Sequence, residues 1–316
     1  MPPLILGTRG SKLALAQSNW VADALRVAHP ALDVEIQVIQ TRGDATQAAN
    51  IPLASFGEKG IFAKELESAL LAGEIDLAVH SMKDLEHTLP DGLVITAVPK
   101  REDPRDALVG STLDALPQGA RVGTGSVRRR ALLLSRRPDL QLLEIRGNVD
   151  TRLRKFREGQ YDAICLAVAG LNRLGLQDNI TEFLDPEWFT PDPGQGAIAI
   201  ETRLGDRRVR DYLLPIDDPA SSAATAVERA FLRAMGGGCK TPLGALSAET
   251  SYNCQSWGMA ASPDGTTILR SYRWPDDPET LEEQGQALAA GLQFQGAAGL
   301  LAAGTEAPRV ETRGSD

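Results

Sequence analysis

An α/β fold with largely parallel strands, followed by a small α+β unit, is what this 316-residue sequence predicts. Two observations carry the prediction. Strand-like and helix-like patterns alternate through about the first 200 residues, and the texture changes after about Pro215. A third observation is an internal echo. Gly7-Thr8-Arg9-Gly10-Ser11 follows the first apolar run and opens a helical pattern, and Gly123-Thr124-Gly125-Ser126 does the same after the run at Arg121. Gly and Ser are common at strand-to-helix turns, which alone accounts for the echo. The sharper account is two similar α/β lobes, each presenting a helix N-terminus to a shared cleft.

Taken in order, residues 4–6 form a short apolar strand. Ser11 caps a helix to about Ala28, with Leu13, Ala16, Trp20 and Leu25 on or near one face. Val34, Ile36 and Val38 alternate as in a half-buried strand; Phe62, Leu66, Ala69 and Leu70 have helical spacing; 75–79 reads as a buried strand. Further strands fall at 93–98, 121–124, 140–145 and 162–168, with helices at about 126–136 and 149–158. After a turn cluster at 217–220, residues 223–235 form a strong helix. Several short strands occupy 243–274 with a turn at Ser262-Pro263-Asp264-Gly265, and a last helix spans about 278–303. The polar, aperiodic stretch 304–316 is expected to be disordered.

Lys and Arg number 33 against 42 Asp and Glu, a net charge of −9. That balance argues against a protein that coats nucleic acid or anionic membrane. The charge is uneven: between Arg121 and Arg157 ten Arg and one Lys face three acids, a local +8, and the rest of the chain carries −17. No apolar run approaches the roughly 18 residues of a membrane helix, no signal-peptide pattern is present, and cytoplasm is the expected compartment. Cys165, Cys239 and Cys254 are too few and scattered for a disulfide framework or a Cys-x-x-Cys site, and His29, His80 and His87 lack zinc spacing, so no metal is expected. Gly is nowhere followed by Lys, which excludes a P-loop, and neither a dinucleotide fingerprint nor a nucleophile elbow occurs.

Three stretches carry candidate chemistry. His80-Ser81-Met82-Lys83-Asp84 puts Lys83 and Asp84 at the carboxyl end of a strand, where α/β sites lie. Asp84 can stabilise a developing cation or pass a proton, and Lys83 can hold a carboxylate. From spacing alone the plainer account, a helix N-terminus with ordinary first-turn charges, is preferred. Arg128, Arg129, Arg146 and Arg152 open helices at the same end of a sheet, against the helix dipole, and suggest a polyanion site; Arg136, Arg137 and Arg154 suit a solvated face. Cys239, in Gly236-Gly237-Gly238-Cys239-Lys240-Thr241-Pro242, is either an uncovered attachment point or nucleophile, or a small residue after a helix capped by Gly236. Cys165, inside an apolar run, reads as core.

Together these motifs resemble the porphobilinogen deaminase (hydroxymethylbilane synthase) family over nearly the whole chain and in the family's order. The stretches are Arg9-x-Ser11-x-Leu13-Ala14-x-x-Gln17; Phe56-Gly57-Glu58-Lys59-Gly60-Ile61-Phe62-x-Lys64-Glu65-Leu66-Glu67; 80–84; Gly123-Thr124-Gly125-Ser126-x-Arg128-Arg129; Arg146-Gly147-Asn148-Val149-x-Thr151-Arg152-Leu153; Ala167-x-Ala169-Gly170-Leu171-x-Arg173-Leu174-Gly175; Pro193-Gly194-Gln195-Gly196; and Gly237-Gly238-Cys239-x-x-Pro242-x-Gly244. The chain departs from the family pattern at Lys12, at Leu85-Glu86-His87 and at the extra Gly236.

The resemblance implies two lobes of the type II periplasmic-binding-protein kind with parallel-rich mixed sheets, 1–97 with 197–216 and 98–196, crossed near Val98 and Gly196. It also implies a small α+β C-terminal domain at 217–303 that carries Cys239. It implies stepwise condensation of four porphobilinogen molecules on a dipyrromethane cofactor joined to Cys239 by a thioether. Ammonia leaves at each step, and hydrolysis then frees hydroxymethylbilane for porphyrin and other tetrapyrrole biosynthesis. By the match, Asp84 is catalytic and also meets the cofactor. Lys83, Ser126, Arg128, Arg129 and Arg152 hold cofactor carboxylates, with Thr124 close by in the cofactor site. Arg9, Ser11, Gln17, Arg146, Arg152, Arg173 and Gln195 serve the substrate. A lid at about 48–59, a monomer, no nucleic-acid or membrane partner, and hand-off of product to a following enzyme are the remaining expectations.

Two other readings compete with this one. A two-lobed module that binds an anion without chemistry needs neither Cys239 nor a third domain. An RNA binder using the +8 segment would want stacking platforms, and only Phe156 lies in that segment.

Overall fold

The structure, a computed structural model, describes residues 2–41, 63–237, 241–249, 254–274 and 280–303. The expected lid, Cys239 and the tail from 304 lie outside the described residues.

The first sheet is built from β1 (Leu4–Thr8), β2 (Val34–Val38), β3 (Leu77–Ser81), β4 (Leu93–Ala97) and β10 (Ile198–Arg203), in the order β2-β1-β3-β10-β4. The second uses β5 (Asp106–Val109), β6 (Arg121–Gly123), β7 (Gln141–Leu143), β8 (Ala163–Ala167) and β9 (Glu182–Leu184), in the order β7-β6-β8-β5-β9. In each sheet the first three strands are mutually parallel, and the fourth pairs antiparallel on both sides. The two layouts are alike, so the echo belongs to two similar mixed α/β lobes. β5, β9 and β10 lie outside the strands foreseen from the pattern. The reversed strands β5 and β10 follow the two passages of the chain between the sheets, at 98–105 and 185–197.

The helices follow local signals. Ser11 caps α1 (Lys12–Ala28) by accepting from the Ala14 amide at 3.3 Å. The buried face of α1 is Ala14, Gln17, Ser18, Val21, Ala22 and Leu25, and Trp20 is 49% exposed. The foreseen face was therefore rotated, because Gln17 and Ser18 turn inward, Gln17 to exchange hydrogen bonds with Ser81 at 3.0 and 3.2 Å. α2 (Lys64–Ala72) covers the other face of the first sheet. There His80 Nε2 lies 3.2 Å from Glu201 Oε2, both buried, with Glu67 of α2 beside them.

α6 (Arg207–Leu213) packs Val209 and Leu213 into the core of the first lobe, and beyond it α7 (Pro219–Met235) leads to an antiparallel sheet of β11 (Leu243–Glu249), β12 (Cys254–Ala261) and β13 (Ile268–Arg273). The foreseen last helix is two: α8 (Leu281–Phe294) and α9 (Ala297–Ala303), parted at Gly296 with φ +96°. A Cβ on Gly285 of α8 would lie 2.5 Å from Ala230 Cβ and Val227 O of α7, so glycine allows the close helix approach. Arg101, on the first passage between the lobes, sends both terminal nitrogens to Glu228 of α7 at 2.7 and 3.0 Å and its Nε to Gln195 O at 2.9 Å. Glu228 also accepts from the amides of Gly194 and Ser247, so one carboxylate ties both passages to the third sheet. No helix among the described residues is long and apolar enough to cross a membrane.

Candidate active site

The site-forming segments follow the carboxyl ends of β1, β3, β6, β7 and β8. Within them, Arg9, Ser11 and Gln17 share one pocket with Ser81 and Asp84, and Leu13, Ala14, Ala63, Val79 and His80 complete its wall. A single 3₁₀ turn, Met82–Asp84, carries Lys83 and Asp84 from the end of β3; Lys83 is half-buried and Asp84 exposed. The following residues, where the chain departs from the family pattern, are held from behind: Arg229 of α7 donates to the carbonyls of Glu86 and His87 at 2.8 and 3.2 Å.

On the second lobe Thr124 is buried, and its Oγ1 accepts from the Ser126 amide at 3.2 Å. Ser126 caps α3 (Val127–Arg136), accepting from the Arg129 amide at 3.4 Å. Cations in this first turn oppose the dipole, and burial against an acid resolves the conflict. Arg128, 2% exposed, donates to Thr190 O at 2.7 Å and to Asp106 Oδ2 at 2.8 Å, with its guanidinium 5.8 Å from the Phe189 ring centre. Arg129 pairs with Asp106 Oδ1 at 2.8 Å and donates to Cys165 O at 3.0 Å and Gln195 Oε1 at 3.4 Å.

Arg152 lies on α4 (Val149–Arg157), whose N-cap Asn148 accepts from Thr151 N at 3.0 Å, and its Nε donates to Gly147 O at 2.8 Å. Gly147 has φ +107°, and a Cβ there would press on the Thr151 side chain. Arg146, its side chain 33% exposed, pairs with Glu144 at 2.5 Å. Arg173, on α5 (Val168–Arg173), donates to Gly196 O at 2.7 Å. Burial, partly offset by Glu102, lowers Arg173 to about 10.

Gln195 joins the lobes. Fully buried, it accepts from Lys83 Nζ at 3.2 Å on one side and from Arg129 on the other, while its Nε2 donates to Pro104 O at 2.7 Å and Asp106 Oδ1 at 2.9 Å. An exposed ion pair, Lys12–Asp150 at 3.0 Å, links α1 to α4.

The electrostatics tell what this cluster suits. Burial and the neighbouring Arg129 pull the Lys83 ammonium below its usual value, against Asp192, Asp84 and Asp106. Burial and Arg129 likewise lower Arg152 to about 10, against Asp84. The Nε atoms of Arg128 and Arg129 are buried without a hydrogen-bond partner among the described residues. Two lowered cations, Lys83 and Arg152, beside an Arg129 held charged by Asp106, fit a ligand bearing carboxylates. Cys165 is core as foreseen: burial pushes its thiol to about 12, and its carbonyl anchors Arg129.

Sequence reasoning missed Asp106. Its signal was an acid opening the apolar run Ala107-Leu108-Val109, a position where a carboxylate must be paired. It also missed Arg101 and Glu228, which the sequence marks only as charges on a linker and a helix.

Comparison with known proteins gives a consistent result. Residues 4–211 match the family model described as "Porphobilinogen deaminase, dipyromethane cofactor binding domain", and 223–293 match "Porphobilinogen deaminase, C-terminal domain". A protein named porphobilinogen deaminase from Roseiflexus castenholzii is 52% identical over 301 residues, 91% of this chain and 99% of that one. One of the same name from Brevibacillus brevis is 46% identical over 301 residues, 94% of this chain and 96% of that one. Among solved structures, an extracytoplasmic solute receptor of Bordetella pertussis that binds pyroglutamic acid is similar at TM-score 0.39 and 12% identity, over 74% of this chain and 83% of that one.

Proposed function

The chain belongs to the porphobilinogen deaminase family, and from that membership we propose that it is a transferase joining four porphobilinogen molecules head to tail on a dipyrromethane primer bound at Cys239. Each addition releases ammonia, and hydrolysis then frees hydroxymethylbilane. The observation that carries this reading is the gathering of Lys83, Arg129 and Arg152 beside the exposed carboxylate of Asp84, where Arg129 adds to burial in lowering both Lys83 and Arg152.

When bound, dipyrromethane supplies the pyrrole carbon from which the chain grows. Lys83, Arg129 and Arg152 would hold its acetate and propionate groups, with Arg128 on α3 and Thr124 and Ser126 just before that helix shaping the wall. The flank of the Cys239 loop supports this placement. A Cβ on Gly244 would lie 2.9 Å from Thr190 O, and Ala245 N donates to Pro191 O at 3.1 Å, beside the carbonyl that anchors Arg128. Arg9, Ser11 and Gln17 orient the carboxylates of incoming porphobilinogen, and Arg146, Arg173 and Gln195 serve the same substrate. Loss of ammonia leaves a cationic, electron-poor pyrrole, which Asp84 stabilises while accepting from pyrrole N–H groups. Two lobes at 1–97 with 197–216 and 98–196, and a third domain at 217–303, are the proposed division, supported by the three sheets. A cytoplasmic monomer that hands its product onward completes the reading.

Intact mass spectrometry tests it. Protein from a cell with an intact tetrapyrrole pathway should carry a dipyrromethane-sized adduct that Cys239→Ser removes; an unmodified wild-type chain overturns the reading. Asp84→Ala should lower turnover by at least about 100-fold while circular dichroism stays native. Wild-type turnover would remove Asp84 from the mechanism.

A further inference from the structure

Asp106 opens β5 and is fully buried. Its carboxylate meets three donors from two distant parts of the chain: Arg128 at 2.8 Å and Arg129 at 2.8 Å on α3, and Gln195 Nε2 at 2.9 Å. Burial opposes its charge, but Arg128 and Arg129 outweigh burial and hold it below the usual carboxylate range. Both oxygens therefore act as acceptors.

That matters for Gln195. A glutamine amide has a donor end and an acceptor end, and its neighbours decide which way it points. Pro104 O and Asp106 Oδ1, both acceptors, sit at one end. Nitrogen must face them, so Oε1 faces Lys83 Nζ and Arg129. A flipped amide would aim N–H groups at two cations.

We propose that Asp106 is a positioning residue for the anion site: it sets the sense of the Gln195 amide and anchors Arg129, so that Lys83, Arg129 and Gln195 present one fixed arrangement to a carboxylate. This rests on the reading of the cleft as a carboxylate site. Asp106 touches no substrate; it acts through Gln195 and the arginines. It is also the acid shared by Arg128 and Arg129. Without it the acids that act on this cluster are Asp192, near Lys83 and Arg129, and Asp84, near Lys83 and Arg152.

The test uses the full chain in a Cys239→Ser background, which keeps the covalent group out. Lys83 is labelled with acetic anhydride across a pH series, and its peptide is quantified by mass. Asp106→Asn should move the Lys83 labelling midpoint down by about one pH unit. Adding Gln195→Glu to Asp106→Asn returns a negative charge beside Lys83 and Arg129, with the asparagine amide as donor to one oxygen and Pro104 O left opposing it, and should move the midpoint part of the way back up. With Cys239 intact, Asp106→Asn should lower adduct occupancy at least about tenfold, and the double change should restore part of it.

An unchanged Lys83 midpoint together with full adduct occupancy in folded Asp106→Asn overturns the proposal. Should Asp106→Asn fail to fold, Gln195→Met removes the amide and leaves the buried ion pairs; wild-type adduct occupancy in that variant overturns the proposal equally. A wild-type chain without any adduct defeats the functional reading instead, and the Lys83 midpoint in the Cys239→Ser chain still decides the role of Asp106.

Discussion

Glu67→Gln should make the protein more stable at alkaline pH and leave it nearly unchanged at acid pH. Glu67 lies on α2, 7% exposed. Burial first, then the neighbouring Glu201 and Glu86, raise its carboxyl from 4.5 to about 7, with Lys64 opposing. The native state therefore holds a proton that the unfolded chain releases above about pH 4.5. Stability from this group is complete below that pH, falls as pH rises toward 7, and is lost above it. A displacement of that size corresponds to up to about 3 kcal/mol. Glutamine keeps the shape and hydrogen-bonding capacity of the protonated acid and has nothing to lose.

The assay is urea unfolding of both proteins at pH 5, 6, 7 and 8. The measured quantity is the difference in unfolding free energy between them. That difference should grow in favour of Glu67→Gln by up to about 3 kcal/mol across the series. Any constant offset from repacking cancels, because only its slope with pH is at issue. A difference that stays level across the series refutes the reasoning, and would mean that Glu67 ionises freely beside Glu201.

Three further outcomes follow from the same kind of accounting. Glu228→Gln puts an amide N–H among the four donors that now converge on a carboxylate; it should destabilise by about 3–5 kcal/mol and lower the Tm by calorimetry. Gly196 has φ +86°, and a Cβ there would press on the Glu102 carbonyl, so Gly196→Ala should destabilise by more than about 1 kcal/mol in urea unfolding. The Lys12–Asp150 pair is 73% and 36% exposed, so Lys12→Ala should change stability by no more than about 1 kcal/mol.

Much of the fold was legible because its signals are local. Ser11 and Ser126 announce α1 and α3 through a side chain three residues from the amide it caps. The apolar runs at 75–79 and 162–168 mark strands that both layers bury. Lys83 and Asp84 were placed at a strand's carboxyl end by their position after Val79. Local pattern failed where a distant partner sets the outcome. The face of α1 turned because Gln17 meets Ser81, 64 positions away. The last helix broke at Gly296, where one residue with positive φ outweighs the run of alanines around it.

What the sequence determined by itself was the alternation of elements, the turns that open each helix, the family and the kinds of side chain available: a run of arginines, one acid after His80-Ser81-Met82-Lys83, and a cysteine among glycines. Only the tertiary structure decided which cations gather. Arg146 and Arg129 look alike in the chain, yet one pairs with Glu144 toward solvent and the other is buried on Asp106 and Gln195. The reason is that a buried charge is set by partners brought from far along the chain, 22 positions for Arg128 to Asp106 and 112 for Lys83 to Gln195. No periodicity records such a meeting; it exists once the two alike lobes, joined by two passages, have come together at the ends of their strands.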